Sequence, residues 1–300
     1  MPDLSIIIVT YNSEKDIRPC LNSIAETKGG LAIELFVVDN NSRDNTVAAV
    51  RNEYPAVRLI ANDTNTGFPG ASNQAIVLAQ GRYILLLNPD TVVHPGALQA
   101  MMTFMEKNPD CGACGPVLED QSGNVIPDLR RPTWLSYLLT MIRIDRLFSA
   151  EIPARSLEII SGVSLLIRKT VLEKVGLLDP NLFWCEDVDY CVRVKRQGYC
   201  VCKIPEARIT HLYGQSAKSN IGLKMYAINA SLIGFAHKHS STVDRLLLFI
   251  LITIEIGMRL FKWWITSLIS PSDNSIARKQ GLMRVMKDLP ILFQRRHWSL

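Results

Sequence analysis

The sequence predicts an α/β fold in which helices cover both faces of a mainly parallel central sheet. Over about the first 120 residues, short apolar runs alternate with segments of helical spacing. The apolar runs are continuous rather than alternating, which is typical of strands that are buried on both faces. Polar residues follow these runs directly, and ligands of such folds gather at the carboxyl ends of the strands.

The first half of the chain contains four strand patterns, each followed by a helix pattern. The predicted strands are Leu4 to Thr10, Ile33 to Asp39, Val57 to Ala61 and Tyr83 to Leu87, and the predicted helices are Glu14 to Glu26, Asn45 to Glu53, Ala71 to Leu78 and Gly96 to Glu106. In the first helix, Ile17, Leu21 and Ile24 have the spacing of one buried face. This order of elements favours a parallel sheet.

The second half is less regular. Prolines, arginines and aromatic residues interrupt any period between Leu118 and Glu158, so we interpret this segment as a long irregular insertion that contacts substrate. A strand from Ile159 to Ile167, a short helix, a turn at Gly176 and two closing strands are expected after it. The closing strands are Tyr199 to Ile204 and Arg208 to His211. We therefore predict one domain over residues 1–240, with a nucleotide-binding half (1–117) and an acceptor and catalytic half (118–240), and a separate helical tail over 241–300.

Charge and cysteine content narrow the class of protein. The chain is 48% hydrophobic and 20% charged, as in ordinary folded proteins, and its net charge of +5 comes from the last 63 residues. Seven scattered cysteines and an N-terminus without a signal-peptide pattern indicate a reducing, cytoplasmic location. Two pairs, Cys111 with Cys114 and Cys200 with Cys202, lie in apolar strand-like runs. We interpret them as buried small hydrophobic residues rather than as a four-thiolate zinc site.

The tail has the composition of a membrane-surface segment. Leu246 to Ile269 is apolar over a length close to the roughly 20 residues that cross a bilayer, but Glu255, Arg259 and Lys262 interrupt it on one stripe. We expect an amphipathic helix in the plane of the inner face of the cell membrane. Basic residues that favour anionic lipid follow this helix: Arg278, Lys279, Arg284, Lys287, Arg295 and Arg296. A helix packed on the domain or on a second copy of the chain remains the alternative, and nothing indicates nucleic-acid binding.

Two polar strand ends and one glycine loop are candidates for nucleotide binding. The first strand ends in Thr10-Tyr11-Asn12-Ser13 and the second in Asp39-Asn40-Asn41-Ser42. A carboxylate at such a place can bind a base or a ribose, or it can simply cap the next helix. Asn65-Thr66-Gly67-Phe68 opens a helix whose backbone N–H groups could face a nucleotide. It is not a Walker loop, because no Gly-Lys-Ser/Thr follows.

Acidic residues mark two further places. Asn88-Pro89-Asp90 ends an apolar strand, and Glu186, Asp187 and Asp189 stand at the start of a predicted helix. Together these acids would suit a site that holds a metal-bound diphosphate and deprotonates a hydroxyl. The positive helix start is expected to keep the base ionised, although acids there also stabilise a helix by about 0.3–1 kcal/mol without any catalytic role.

As an ordered set, these motifs resemble the family 2 glycosyltransferases of the GT-A fold, and especially the rhamnosyltransferase-like branch that builds bacterial surface polysaccharides such as O-antigen. The resemblance covers about Ser5 to Ser216. The matching segments are Ile6 to Asn12, Val37 to Ser42, Asn65 to Phe68, Asn88 to Asp90, Ser161 to Val163, Glu186 to Asp189 and Pro205 to His211. The resemblance implies an inverting, metal-dependent sugar transfer.

The resemblance also implies a role for each matching residue. Asp187 matches the catalytic base, and Glu186 is expected to bind the acceptor or the sugar. Asp90 matches the last acid of the metal-binding Asp-x-Asp element, Asn88 stands at its first position, and His211 matches a further metal ligand, for Mn²⁺ or Mg²⁺. The implied nucleotide and donor contacts are Thr10, Tyr11, Asn12, Asp39, Asn65, Gly67, Asn73, Asn88 and Asp90. Trp184, with Asp189 and Arg193 as an i, i+4 pair, would support acceptor binding.

The expected reaction takes a sugar from a nucleotide diphosphate, with dTDP-L-rhamnose as the expected donor, to a glycan carried on a polyprenyl diphosphate lipid. A UDP- or GDP-sugar donor and a catalytically inactive scaffold on the same fold are the alternatives. A nucleotidyltransferase would require a glycine- and lysine-rich phosphate loop after the first strand, which Thr10 to Ser13 does not provide.

Overall fold

The computed structural model describes residues 1–127, 134–141, 159–212, 221–269, 280 and 282–288. The chain forms two compact units. The first comprises Met1–Leu129, Glu151–Pro180 and Glu186–Ser216, and the second comprises Arg130–Ala150, Asn181–Cys185 and Ala217–Leu300. The predicted boundary between residues 240 and 241 lies inside the second unit, whereas the predicted boundary at residue 117 lies inside the first.

The first unit alternates strands and helices. Its strands are β1 (Leu4–Thr10), β2 (Ile33–Asp39), β3 (Arg58–Ala61), β4 (Tyr83–Leu87), β5 (Thr91–Val93), β6 (Cys111–Glu119), β7 (Ser164–Arg168) and β8 (Cys200–His211). Its helices are α1 (Glu14–Thr27), α2 (Thr46–Glu53), α3 (Gly67–Ile76), α4 (Ala97–Lys107), α6 (Lys169–Val175) and α7 (Glu186–Arg196), and α5 (Trp134–Met141) belongs to the second unit.

The eight strands form one sheet in the order β3-β2-β1-β4-β7-β6-β8-β5. β1 pairs in parallel with β2 and β4, β2 with β3, and β6 with β8. β7 is antiparallel to both neighbours, and β5 is antiparallel to β8. Because β7 is antiparallel to both β4 and β6, these two strands run in the same direction. All strands except β5 and β7 are therefore parallel, and their carboxyl ends lie at one edge of the sheet. The prediction of a mainly parallel sheet is confirmed.

Burial explains why these segments form these elements. All seven residues of β1 and all five of β4 are buried, as continuous apolar strands between two helical layers must be. On α1, Ile17, Leu21 and Ile24 are buried, as their spacing predicts.

The second half of the chain differs from the prediction in several places. The short β5 was not predicted, the strand-like run at Cys111 and Cys114 extends to the nine-residue β6, and α5 lies in the segment predicted to be irregular. β7 begins at Ser164 because residues 161–163 form a turn. The two predicted closing strands are one strand, β8: its pairing with β6 jumps from Ile204 to Arg208, so the Pro205 interruption is a bulge.

The second unit is helical in its described part. It contains α5, α8 (Ile221–His239) and α9 (Thr242–Ile269). Ser241 directly precedes α9 and caps its start. Its hydroxyl donates a hydrogen bond to the Asp244 carboxylate and accepts one from the Asp244 N–H at 3.1 Å. Leu248, Ile252 and Ile256 of α9 pack into a core with α8, which favours the packed alternative for this face of the tail helix. No helix of the described residues is both long and apolar enough to cross a membrane.

Candidate active site

One edge of the sheet collects the predicted site residues of the first unit. Asp39 ends β2, Asp90 follows β4, and His211 ends β8. The turn before β7 reaches the same edge, because the Asn88 N–H donates to the carbonyl of Val163 at 2.9 Å. Asp187 is attached to that turn, because the Gly162 N–H donates a hydrogen bond to its carboxylate. The carboxyl ends of the parallel strands therefore form the candidate site, in agreement with the general position of ligands in such folds.

Asp39 is buried and organises the loops after β1 and β2. Its Oδ1 accepts a hydrogen bond from the Thr10 hydroxyl at 2.8 Å, and its Oδ2 accepts one from the Ser42 N–H at 2.8 Å. The Ser42 hydroxyl also donates to Oδ1. These contacts stabilise the loop after β2 and do not cap α2, whose N-cap Asn45 makes no side-chain cap hydrogen bond. They fix a carboxylate at the strand end, with acceptor capacity remaining on Oδ2.

Asn12 joins the same two loops. It has a left-handed backbone conformation (φ 51°), its N–H donates to the Ser42 hydroxyl at 2.8 Å, and its Oδ1 accepts from Arg43 N–H at 2.8 Å. Asn41 is also left-handed, with φ 67°. Asparagine tolerates this conformation better than most residues. Each of the two loops therefore contains one left-handed asparagine, and the half-buried Tyr11 lies on the first loop.

Asn40 is a connecting residue that the sequence reasoning did not select. Its Oδ1 accepts hydrogen bonds from the side chains of Asn62 and Thr66, and its Nδ2 donates to the carbonyl of Gly67 at 3.1 Å. Gly67 has a left-handed φ of 73°, and its N–H donates to the side-chain Oδ1 of Asn65 at 2.9 Å. The only available signal was the position of Asn40 directly after a buried strand.

Asn73 is engaged elsewhere in the first unit. Its amide nitrogen donates to the carbonyl of Leu178 at 2.9 Å, and its amide oxygen accepts from the N–H of Leu178 at 3.1 Å. Both polar ends of this side chain thus hold the loop that follows α6. The structure therefore gives Asn73 a supporting contact, and the nucleotide contact that the resemblance implies stays a prediction.

Asp90 and His211 lie side by side. His211 Nε2 is 3.1 Å from Asp90 Oδ2, and the Leu212 N–H donates to the Asp90 carbonyl at 2.8 Å. The pairing of β5 with β8 places Thr91 opposite His211, which fixes both residues on neighbouring strands. Their side chains are 15% and 13% exposed, so a small ion can reach them. An imidazole and a carboxylate that converge in this way fit a divalent cation such as Mn²⁺.

Asp16 adds a second carboxylate near this pair and was missed by the sequence reasoning. Burial, followed by the charge of Asp90, raises its pKa. It lies in the first turn of α1, just after the polar end of β1, and that position was the available signal. Negative charge from more than one carboxylate would strengthen attraction of a cation to this edge.

Asp187 is nearly buried and held by backbone donors. Its Oδ2 accepts from the N–H of Gly162 at 2.7 Å, and its Oδ1 accepts from the N–H of Val188 at 2.7 Å. Burial raises its pKa, against the lowering effect of these two hydrogen bonds. The sequence argument considered only the helix start. The net upward shift makes Asp187 a stronger base than an exposed aspartate.

The neighbouring Glu186 differs from Asp187 in its partners. Its Oε2 has no hydrogen-bond partner among the described residues, whereas both oxygens of Asp187 have one. Burial and the charge of Asp187 raise the pKa of Glu186 well above its usual range. When the two acids share one negative charge, Asp187 therefore carries it and Glu186 carries the proton.

The rest of the acidic segment is anchored as predicted. Asp189 is fully buried and pairs with Arg193 Nε at 2.8 Å, and Arg193 also donates to the carbonyls of Val175 and Leu177. These contacts attach α7 to the Gly176 turn. In the second unit, Trp184 is exposed and its N–H donates to the Ser231 hydroxyl at 3.2 Å, which leaves its predicted acceptor role untested.

Comparison with known proteins gives consistent results. Residues 5–176 match the family model described as "Glycosyl transferase family 2". An N-acetylglucosaminyl-diphospho-decaprenol L-rhamnosyltransferase of Mycobacterium tuberculosis is 28% identical over 235 residues, which are 69% of this chain and 75% of that protein. A mannosyltransferase of Pyrobaculum calidifontis in complex with GDP-Man and Mn²⁺ superposes with a TM-score of 0.58 at 17% identity, over 98% of this chain and 84% of that one.

A second solved structure has the same fold. It is GalNAc-T7 with UDP, GalNAc and Mn²⁺, with a TM-score of 0.57 and 14% identity over 80% of this chain and 52% of that one. At these identities the likeness concerns the fold alone. The expectation of a GT-A fold is confirmed.

Proposed function

Because the chain belongs to glycosyl transferase family 2 and is a glycosyltransferase, we propose that it is an inverting enzyme that moves L-rhamnose from dTDP-L-rhamnose to a glycan on a polyprenyl diphosphate lipid. The geometry that carries the proposal is the meeting of the Asp90–His211 pair with the Asp187 turn at one sheet edge. The similarity to a rhamnosyltransferase supports the choice of sugar and acceptor.

Different residues at this edge of the sheet would bind the nucleoside, bind the metal and accept the proton. Thr10 and Asp39 would hold the nucleoside, on loops that Asn12 and Asn40 fix in place. Asp90 and His211 would hold a divalent cation, which when bound neutralises the diphosphate of the donor. Asp187, whose charged form accepts hydrogen bonds from the Gly162 and Val188 N–H groups, would take the proton of the acceptor hydroxyl as that oxygen attacks the anomeric carbon and the nucleotide diphosphate leaves from the opposite side. Glu186, whose pKa is raised by burial and by the charge of Asp187, would donate a hydrogen bond to the sugar or the acceptor when it carries the proton.

Calorimetric titration tests the donor site. We expect dTDP to bind more tightly than UDP or GDP in the presence of Mn²⁺ or Mg²⁺, and Asp90→Asn to weaken this metal-dependent binding at least about tenfold, because one charged ligand is lost. Glu173→Gln removes an exposed carboxylate on α6, which follows the end of β7 opposite to the candidate site, and is the matched control. It should bind like the wild type.

Two results would change the proposal. A preference for UDP or GDP would reassign the donor class and remove the rhamnose assignment. Failure of all three nucleotides to bind, with and without metal, would leave the inactive scaffold as the better reading.

The tail helix supports a membrane-surface location. Although one face of α9 is buried, the opposite face exposes a stripe of apolar residues at intervals of three or four positions. They are Val243, Leu246, Ile250, Ile254, Met258, Phe261, Trp264 and Ile265. Each is at least 38% exposed, and no charged residue interrupts this stripe from Val243 to Ile265.

The second unit also exposes basic residues. On α9, Lys262 is exposed next to Phe261 and Arg259 pairs with Glu255, and Arg284 and Lys287 are exposed on the helical segment 282–288. An apolar stripe together with exposed basic residues is the pattern of a helix that lies in an anionic membrane interface. We therefore place the enzyme at the cytoplasmic face of the membrane, where a lipid-linked acceptor would be.

Vesicle sedimentation tests this location. The wild type should sediment with vesicles that contain phosphatidylglycerol, and the double substitution Ile254→Asp and Phe261→Asp should reduce the bound fraction at least about tenfold, because two charges enter the apolar stripe. The matched control places the same two charges on another exposed apolar site, at Val77 and Leu78. If the α9 variant instead converts a dimer to a monomer without changing vesicle binding, the stripe contacts a second copy of the chain and the membrane proposal fails.

A further inference from the structure

Three thiols meet at the edge of the sheet opposite to the candidate active site. Cys111 begins β6 and Cys200 begins β8, and the two residues are opposite each other in the parallel pairing. Cys202, two residues after Cys200 on β8, lies on the same face of the sheet as Cys200. The sulfur atoms of Cys111, Cys200 and Cys202 all lie within 4.8 Å of one another. The sequence predicts that Cys200 and Cys202 share a face, but it does not show that the pairing of β6 with β8 brings Cys111 beside them.

These separations suit a tetrahedral metal. A Zn–S bond of about 2.3 Å places two sulfur ligands of a tetrahedral ion roughly 3.8 Å apart. Cys200 Sγ and Cys202 Sγ are 3.4 Å apart, so a small outward movement of one rotamer would bring them to that separation. Asp110 Oδ2 lies 3.7 Å from Cys200 Sγ but not within 4.8 Å of all three sulfur atoms, so a change of rotamer of this exposed side chain would supply the fourth donor.

We propose that Cys111, Cys200, Cys202 and Asp110 bind one Zn²⁺ ion. Thiolate sulfur selects Zn²⁺ over the harder ions Mg²⁺ and Mn²⁺, so this ion differs from the one expected at Asp90 and His211. Cys111 and Cys202 are fully buried, whereas Cys200 is half-buried and Asp110 is exposed. The ion would enter from the solvent side through Asp110 and Cys200 and be enclosed by the other two ligands.

The surroundings fit a structural role for this ion. The guanidinium of Arg168 donates to the Cys111 carbonyl at 3.3 Å, which places a fixed positive charge beside an anionic ligand set. The ligands join the first residues of β6 and β8 with the turn that precedes β6. Zn²⁺ would link β6 and β8 at the point where their register shifts. This point lies at the edge of the sheet opposite to His211, which ends β8.

Cobalt substitution tests the site directly. Full-length protein, purified with chelator and reductant, should bind one equivalent of Co²⁺ and show thiolate-to-cobalt charge transfer and tetrahedral d–d absorption, and Zn²⁺ should displace it. Cys200→Ser, at the half-buried position, should remove most of the charge-transfer intensity and weaken Zn²⁺ binding at least about 100-fold. Cys191→Ser changes a buried thiol outside the cluster and should leave both unchanged.

The proposal has clear contrary outcomes. It fails if the folded protein binds no Co²⁺ or Zn²⁺ in stoichiometric amount, or if Cys200→Ser and Cys191→Ser give the same spectra as the wild type. A mass lower by two hydrogens per chain, with no metal bound, would identify Cys200 and Cys202 as a redox pair and would equally overturn it. None of these readouts depends on sugar transfer, so this test is independent of the proposed enzyme activity.

Discussion

Asp187→Asn is expected to lower kcat by about 10³-fold while the affinity for the donor nucleotide changes little. The substitution keeps the shape of the side chain, and its amide oxygen can still accept the Gly162 or Val188 N–H. It removes the ability to take a proton, and general-base catalysis contributes about 10²–10⁴ in rate. Single-turnover kinetics with the donor, combined with calorimetry of the nucleotide diphosphate, would measure the two effects separately.

Glu186→Gln is the matched control for this prediction. Since Glu186 lacks a donor to one oxygen and its pKa is raised by burial and by Asp187, a neutral amide resembles its protonated form. We expect its loss of kcat to stay within about tenfold, well below the effect of Asp187→Asn. If Glu186→Gln abolished turnover and Asp187→Asn did not, the two acids would have exchanged roles.

The pH profile of the wild type offers a second check on the same assignment. A base must be ionised, so kcat/KM falls as the pH decreases through the pKa of Asp187. Because burial raises this pKa, the acid limb should lie above the ordinary aspartate value of 3.8. Glu186→Gln should retain this limb, and an acid limb at or below the ordinary value would contradict the assignment.

The sequence predicts the strands of the first half of the chain well, because each of them has a clear local pattern. β1, β2 and β4 are continuous apolar runs that end at a polar residue, and the structure places them side by side in parallel. The same feature identifies the strand-end acids Asp39 and Asp90. Local pattern and tertiary position agree here, since a strand buried on both faces has few other places to lie.

The remainder depends on contacts between distant segments. The pairing of β5 with β8 brings His211 beside Asp90. The sequence does not predict this pairing, because β5 has only three residues and no distinctive pattern. The Asn73–Leu178 contact joins residues 105 positions apart. Similarly, the sequence predicts two closing strands where the structure has one strand, β8, with a bulge. A proline such as Pro205 is found both at strand ends and at bulges, so its presence does not distinguish the two.

The pKa of Asp187 also could not be predicted from the sequence. From the sequence, only the helix start at Asp187 could be considered, and it favours the charged form. Burial favours the neutral form, and burial depends on the whole fold. The direction of the shift at Asp187 and Glu186 therefore required the structure.

The position of these acids depends on a buried ion pair. Asp189 is fully buried and holds Arg193, which in turn binds the carbonyls of Val175 and Leu177 on the Gly176 turn. Arg193 also lies over the Tyr190 ring at 4.9 Å. These contacts determine where α7 begins relative to the turn, and Asp187 occupies the first turn of that helix. A change at Asp189 should therefore affect both the stability of the fold and the placement of Asp187.

Asp189→Asn is expected to lower the free energy of unfolding by about 3–5 kcal/mol, because it leaves the Arg193 charge largely buried without its anion. Urea denaturation followed by circular dichroism would show this as a lower midpoint with an unchanged slope. Glu53→Gln is the matched control: it breaks the pair of Glu53 with Arg18, which has a similar separation of 2.6 Å but is exposed. It should give no resolvable change. Equal effects of the two substitutions would mean that the Asp189–Arg193 pair does not anchor α7.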